Sequence, residues 1–291
     1  MKAGAAIILT EAEWHARRAA HEARVETWLG PNRERSAAHR KHPVYDFLFE
    51  YYHYRPAHLQ RWHPGLGVVL GGASAEEYLA LPGYERREGG VGVHPARLKP
   101  ERRQGVAWMR ALLQATTQRV PFFGCFGLHE WAMVYRCDAV RHDAWPLRFD
   151  METIAAIVES LPIRCSHFDA FRFFTQPARP LNRLQPVRGT VHELEQRGCL
   201  HANMDLYKWA FKLAPFTASE LVAEAFALAW EIRETDMRAS PYDLRALGFQ
   251  PIPVETEAGR AEYERRQRDY AERGVPIRAR LLAVCEALLE D

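Results

Sequence analysis

Apolar residues recur at spacings of three and four over most of this chain, while strict alternation is rare. The pattern predicts a mainly α-helical fold, a multi-helix globular domain with a small irregular or extended insert. Thr10 with Glu13 three residues on has the form of a capping box, so a helix is predicted from residue 10 to about 28, stopped by Gly30-Pro31. The charged run 32–41 is predicted to lie at the surface. Pro43 suits the first turn of a second helix carrying Tyr45, Leu48, Phe49 and Tyr52. Arg55-Pro56 breaks that helix, and a shorter one follows as far as Trp62.

Helical spacing disappears between residues 64 and 99, where glycine is frequent and the apolar pieces LGVVLGG and VGVHP are short. Turns with one or two short extended segments are expected there. Helices are predicted again at 100–117, from Leu128 after the tight turn Gly124–Gly127, and at 151–159. The three prolines of TQPARPLNRLQPVRG oppose continuous helix, and a single turn fits 192–196. Further helices are expected at 203–212, from a cap at Thr217 or Ser219 to Ile232, and at 275–289. A charged stretch, 256–269, precedes the last of these and offers an i,i+4 pair, Glu264–Arg268. No repeat or long linker divides the chain, so residues 1–291 read as one domain.

Composition narrows the picture in three ways. The 291 residues, 47% hydrophobic and 26% charged, are those of a folded globular protein. The 39 basic and 37 acidic residues leave a net charge of +2, a balance that points to no particular polyanionic partner. Five widely spaced cysteines do not form a disulfide framework. With no stretch of about 20 apolar residues and no signal-peptide pattern, the expectation is a cytoplasmic protein with no membrane partner.

Chemistry concentrates in three polar-aromatic blocks: PFFGCFGLHEWAMVY, LPIRCSHFDAFRFF and GCLHANMDLYKW. Ionisable groups set this densely among large apolar ones are costly unless paired or bound. In the first block His129 and Glu130 are adjacent, about 100° apart on a helix, and do not form the HExxH zinc pattern. They serve either as ligands or acid/base groups, or simply as hydrogen-bonders to the glycine turn. In the second block an extended chain would point Cys165, His167 and Asp169 the same way, whereas a helix would bring Asp169 to Arg172. In the third, His201, Asp205 and Lys208 share one helical face, so His201 is a candidate general base oriented by Asp205.

Metal sites can be drawn from these residues. His167, Asp169 and His201 supply a two-His-one-carboxylate iron set, and Cys165, His167, His201 and Asp205 a zinc set, with His129 and Glu130 as further ligands. Arg55 and Arg61, beside Trp62 and His63, are candidates to line a pocket for a planar or phosphate-bearing substrate. No Walker A, GxGxxG, GxSxG or CxxC pattern occurs.

The blocks HPVYDFLFEYYHYRP, GCFGLHEWAMVYR, PIRCSHFDAFRFF, CLHANMDLYKW and DMRASPYDLR together resemble a bacterial family labelled 3-methyladenine DNA glycosylase, over nearly the whole chain. The resemblance implies hydrolysis of the N-glycosidic bond of a modified purine, in DNA or a nucleoside, without a cofactor. On that reading Asp169 or Asp205 stabilises the developing oxocarbenium charge, and His201 or Glu130 positions or deprotonates water. Tyr52, Trp131 and Tyr207 would stack on the base, with Arg55, Arg172 and Lys208 as further substrate contacts. LALPGYERREGG has Pro82-Gly83 but not the rest of a helix-hairpin-helix, so no catalytic Asp carries over from that motif. Two other classes stand beside this one: a metal-dependent oxidoreductase or hydrolase using Fe or Zn, and a non-catalytic helical adaptor.

Overall fold

A computed structural model describes residues 6–138, 140 and 144–290. The elements open with β1 (Ile7–Leu9), α1 (Glu11–Ala37), α2 (Phe47–Tyr52) and α3 (Pro56–Gln60). Then come β2 (Val68–Leu70), β3 (Tyr84–Arg87), β4 (Gly90–Val93) and α4 (Pro100–Gln118). Four short helices follow: α5 (Leu128–Ala132), α6 (Met151–Ser160), α7 (Phe168–Phe171) and α8 (Val191–Leu194). The last three are α9 (Leu200–Lys212), α10 (Ser219–Arg238) and α11 (Glu257–Leu289). The protein is mainly α-helical with one small four-stranded sheet, the class its periodicity predicts. No helix among the described residues is long and apolar enough to cross a membrane. The residues gather into two compact units, one of 6–113, 206–229 and 276–290, the other of 114–205 and 230–275.

In the first unit, α1 begins as predicted. Thr10 Oγ1 accepts from the Glu13 amide at 3.4 Å, and the Thr10 amide donates to Glu13 Oε2 at 2.8 Å. The helix does not stop at Gly30-Pro31 but continues to Ala37. A proline removes one amide from the ladder, and tertiary bonds hold the turns beyond it. Asn32 Nδ2 donates to Asp46 Oδ1 at 3.0 Å and Arg35 pairs with the same oxygen at 2.5 Å, while the His42 amide takes Oδ2 at 2.8 Å. Pro43 precedes α2 rather than opening it, and α2 starts one residue after this Asp46 clamp.

The sheet runs β1-β2-β4-β3, with β1 parallel to β2 and the other pairs antiparallel. The irregular 64–99 segment thus holds three strands and recruits the N-terminal apolar run as a fourth. Gly90 (φ +152°) permits this packing, since a Cβ there would lie 1.9 Å from the Leu70 carbonyl oxygen. Trp14 and Trp62 stack at 6.5 Å in the core, their indole N–H groups donating to Gly71 O and Glu220 Oε1, both at 3.0 Å.

The second unit is built from short helices and loops with stapled backbones. Trp131 of α5 is fully buried and donates to Ala239 O at 2.8 Å. Asn182 accepts from the Cys165 amide at 2.7 Å and donates to the Cys165 carbonyl at 2.9 Å, fixing an extended stretch before α7. α10 runs on past Ile232 to Arg238, and α11 is one helix through Pro276 rather than a charged stretch followed by a separate helix. Its pairs Glu262–Arg266, Glu264–Arg268 and Asp269–Arg273 support the turns before that proline.

Candidate metal centre

Three turns of the second unit bring its ionisable groups together. Phe126 (φ +47°) and Gly127 (φ +68°) form a left-handed pair that ends the loop and starts α5, placing His129 and Glu130 in its first turn. Gly198 leads into α9, and a Cβ there would lie 2.6 Å from the Phe122 carbonyl oxygen. Asn203 then donates to Arg197 O (2.8 Å) and Cys199 O (3.0 Å), fixing the helix entrance that carries His201. Two amides join the segments. Gln196 Oε1 accepts from Phe122 N (2.9 Å) and Gly198 N (2.6 Å), while Gln267 Nε2 donates to Gly198 O at 2.6 Å. The last turns of α10 supply Arg233 and Asp236.

His129, His201 and Asp236 offer ligand atoms that all lie within 4.8 Å of one another. His129 Nε2 is 3.2 Å from Asp236 Oδ2, and His201 Nε2 is 4.0 Å from the same oxygen. The two imidazoles meet edge to face at 4.4 Å. Asp236 is fully buried, and its Oδ1 has no hydrogen-bond partner among the described residues. Arg233, also buried, donates to Glu130 Oε1 at 2.9 Å and Asp236 Oδ2 at 3.3 Å. Burial raises the Asp236 carboxyl pKa, but His129, His201 and Arg233 outweigh it and hold the group well below the carboxylate range. Burial likewise lowers His129, and Asp236 reverses the sign and leaves it raised. His201 is driven well below its ordinary value by burial and by His129 beside it, so it is a neutral imidazole.

A second node adjoins the first. His167 Nε2 lies 3.4 Å from both Glu195 Oε1 and Asp205 Oδ2, all three groups being buried. Its ring is 5.3 Å from that of His201. A small cavity of about 20 Å³, room for one water-sized group, is lined in part by His129, His201, Tyr263, Cys125, Cys165 and Cys199. The thiols are protonated: burial pushes Cys165 up to about 12 and Cys199 well above its usual value, and Cys165 Sγ donates to the His167 carbonyl at 3.6 Å.

No protein-family model, curated protein or solved structure matches this chain.

The sequence candidates divide on this geometry. His129, Glu130, His167, His201 and Asp205 converge. Asp169 does not take the extended register with Cys165 and His167; it sits in α7 and pairs with Arg172 at 3.2 Å, half-exposed. Asp205 faces His167 rather than orienting His201, whose carboxylate neighbour is Asp236. Neither metal set drawn from the sequence forms: the triad that does form exchanges Asp169 or Asp205 for Asp236, and His167 for His129. The stacking candidates are core residues. Trp131 and Tyr207 are fully buried, and Tyr52 packs edge-on against Tyr207 at 5.4 Å, so none presents a free face to a base. Lys208 covers the Trp209 ring at 4.5 Å, Arg172 covers Phe173 at 4.4 Å, and Arg55 is exposed ahead of α3. Asp236, Arg233 and Glu195 are absent from the sequence candidates. Arg233 and Asp236 leave one local signal, an arginine and an acid three residues apart at the end of an otherwise apolar helix face, Leu228-Ala229-Ile232, and Glu195 leaves none.

Proposed function

We propose that the chain is a metal-dependent enzyme in which His129, His201 and Asp236 hold one divalent ion of the zinc or iron class. The observation that carries this reading is a buried two-imidazole, one-carboxylate cluster with an unpartnered carboxylate oxygen. Ligand atoms around an ion at about 2.0–2.2 Å stand roughly 3–3.5 Å apart, and the separations of 3.2 and 4.0 Å to Asp236 need only small side-chain adjustments to reach that. Three protein ligands leave a position for water, and the adjoining cavity has room for one. When bound, such an ion lowers the pKa of its water and polarises a substrate oxygen, which favours hydrolysis as the reaction class. Arg233 fixes the Asp236 carboxylate from one side and balances Glu130 on the other.

N-glycosidic hydrolysis by a metal-free carboxylate draws less support. Asp169 is paired with Arg172, and the candidate base-stacking rings are buried. The two readings separate on elemental analysis of protein purified without a metal-binding tag. About one zinc or iron per chain is expected in the wild type, with loss of that metal in Asp236→Ala and His201→Ala. Trace metal only, after anaerobic reconstitution with both ions, would remove the metal reading.

A further inference from the structure

The first unit holds a cavity of about 270 Å³ whose wall carries arginines and histidines and, among the described residues, no carboxylate. The side chains that matter are Tyr54, His58, Arg61, His63, Arg102 and Phe211. Arg61 is exposed, and its guanidinium has no ion-pair or hydrogen-bond partner among the described residues. Arg102 is half-buried and uses Nη2 on two backbone oxygens, Lys212 O at 2.6 Å and Ala214 O at 3.5 Å. Those acceptors are neutral, so no acid of the lining cancels its charge. Its sequence neighbour Glu101 acts on it electrostatically without lining the cavity. His63 engages Nδ1 with Tyr84 Oη at 2.8 Å, and its Nε2 has no hydrogen-bond partner among the described residues. Tyr54 and Phe211 stack at 4.4 Å with their planes 14° apart, giving the cavity a flat aromatic surface.

Two guanidiniums on one cavity wall repel one another unless an anion joins them, and a guanidinium fork matches the oxygens of phosphate. The volume approaches the lower end of small-molecule pockets, about 300 Å³. We propose that this cavity binds a phosphomonoester, with Arg61 and Arg102 on the phosphate and the Tyr54–Phe211 surface against its organic body. The inference does not depend on the metal reading.

Calorimetric titration of the full chain with AMP, adenosine, inorganic phosphate and benzoate, each with and without EDTA, tests it. AMP should bind more tightly than adenosine, phosphate more tightly than benzoate, and EDTA should change neither ranking. Arg61→Gln should weaken AMP by about tenfold, the scale of one lost charge-assisted contact. Its thermal midpoint without ligand should match the wild type, because Arg61 holds nothing else in place. His58→Ala, at an exposed position, provides a second variant with an intact fold and should also weaken AMP. Equal affinity for AMP and adenosine, unchanged AMP affinity in both variants, or tighter benzoate binding would each overturn the assignment. So would an absence of heat with every probe, or AMP binding that EDTA abolishes.

Discussion

Arg233 offers the most demanding test of the buried cluster. Its guanidinium lies 2.9 Å from Glu130 Oε1 and 3.3 Å from Asp236 Oδ2, with all three side chains nearly inaccessible. At an effective dielectric of about 20 each contact is worth on the order of 5–6 kcal/mol, most of it offset by desolvation of the partners. Deleting the cation while leaving the anions buried is a different matter, and typically costs about 3–5 kcal/mol. Arg233→Met should therefore lower the stability of chelator-treated protein by that amount in urea titrations followed by tryptophan fluorescence. Asp236 retains His129, so Glu130 bears most of the loss. A divalent ion held by His129, His201 and Asp236 would supply the missing positive charge. With saturating zinc or Fe(II) the cost should fall to about 1–2 kcal/mol, and by linkage zinc affinity should rise roughly thirtyfold in chelator competition. Arg233→Lys keeps the charge and should show a smaller version of both effects. An equal loss of stability with and without metal, at unchanged zinc affinity, would mean that no ion interacts with these carboxylates.

Two further outcomes follow from burial. His63 is held neutral by burial and by nearby Arg61, with its pKa lowered from 6.5 to about 4. An unfolded His63 takes up a proton near pH 6.5 and the folded one does not, so its contribution is complete above pH 6.5 and is lost as pH falls towards 4. The loss amounts to about 3 kcal/mol across that window, and His63→Gln should flatten the stability–pH curve there by that much; parallel wild-type and variant curves would disprove it. Cys165, pushed up to about 12 by burial, should be roughly one part in ten thousand thiolate at pH 8. It should resist a disulfide reagent until the protein unfolds, and peptide mapping that finds it labelled in native protein at the rate of an exposed thiol would contradict the buried assignment.

The helices are legible in the sequence wherever apolar spacing persists for two turns or more, as in α4 and α6. The predicted stop at Pro31 does not occur because Asp46 clamps Asn32 and Arg35 from outside the helix, a contact that local spacing cannot contain. The strands are three or four residues long, too short to display alternation, and β1 acquires its role only by pairing with residues some sixty positions later. His129 stands out because it falls between Phe126 and Trp131, and His201 because it is an ionisable group between Leu200 and Ala202 at the start of a helix. Asp236 does not, since a carboxylate near a helix end looks like surface until the fold shows what covers it. The choice between Asp169 and Asp205 turned on backbone form: α7 turns Asp169 to Arg172, while α9 carries Asp205 to His167.

His129 and Asp236 are separated by 107 positions along the chain, and His201 falls between them on a different helix. During synthesis both imidazoles leave the ribosome well before the carboxylate does. A nascent or truncated chain ending ahead of residue 236 would carry two histidines with no acid to complete the set, so the cluster comes into being only when α10 has been made and has packed. Any signal tied to the His129–Asp236 contact, such as the imidazole resonances in an NMR spectrum of metal-free protein, therefore appears only once α10 has packed.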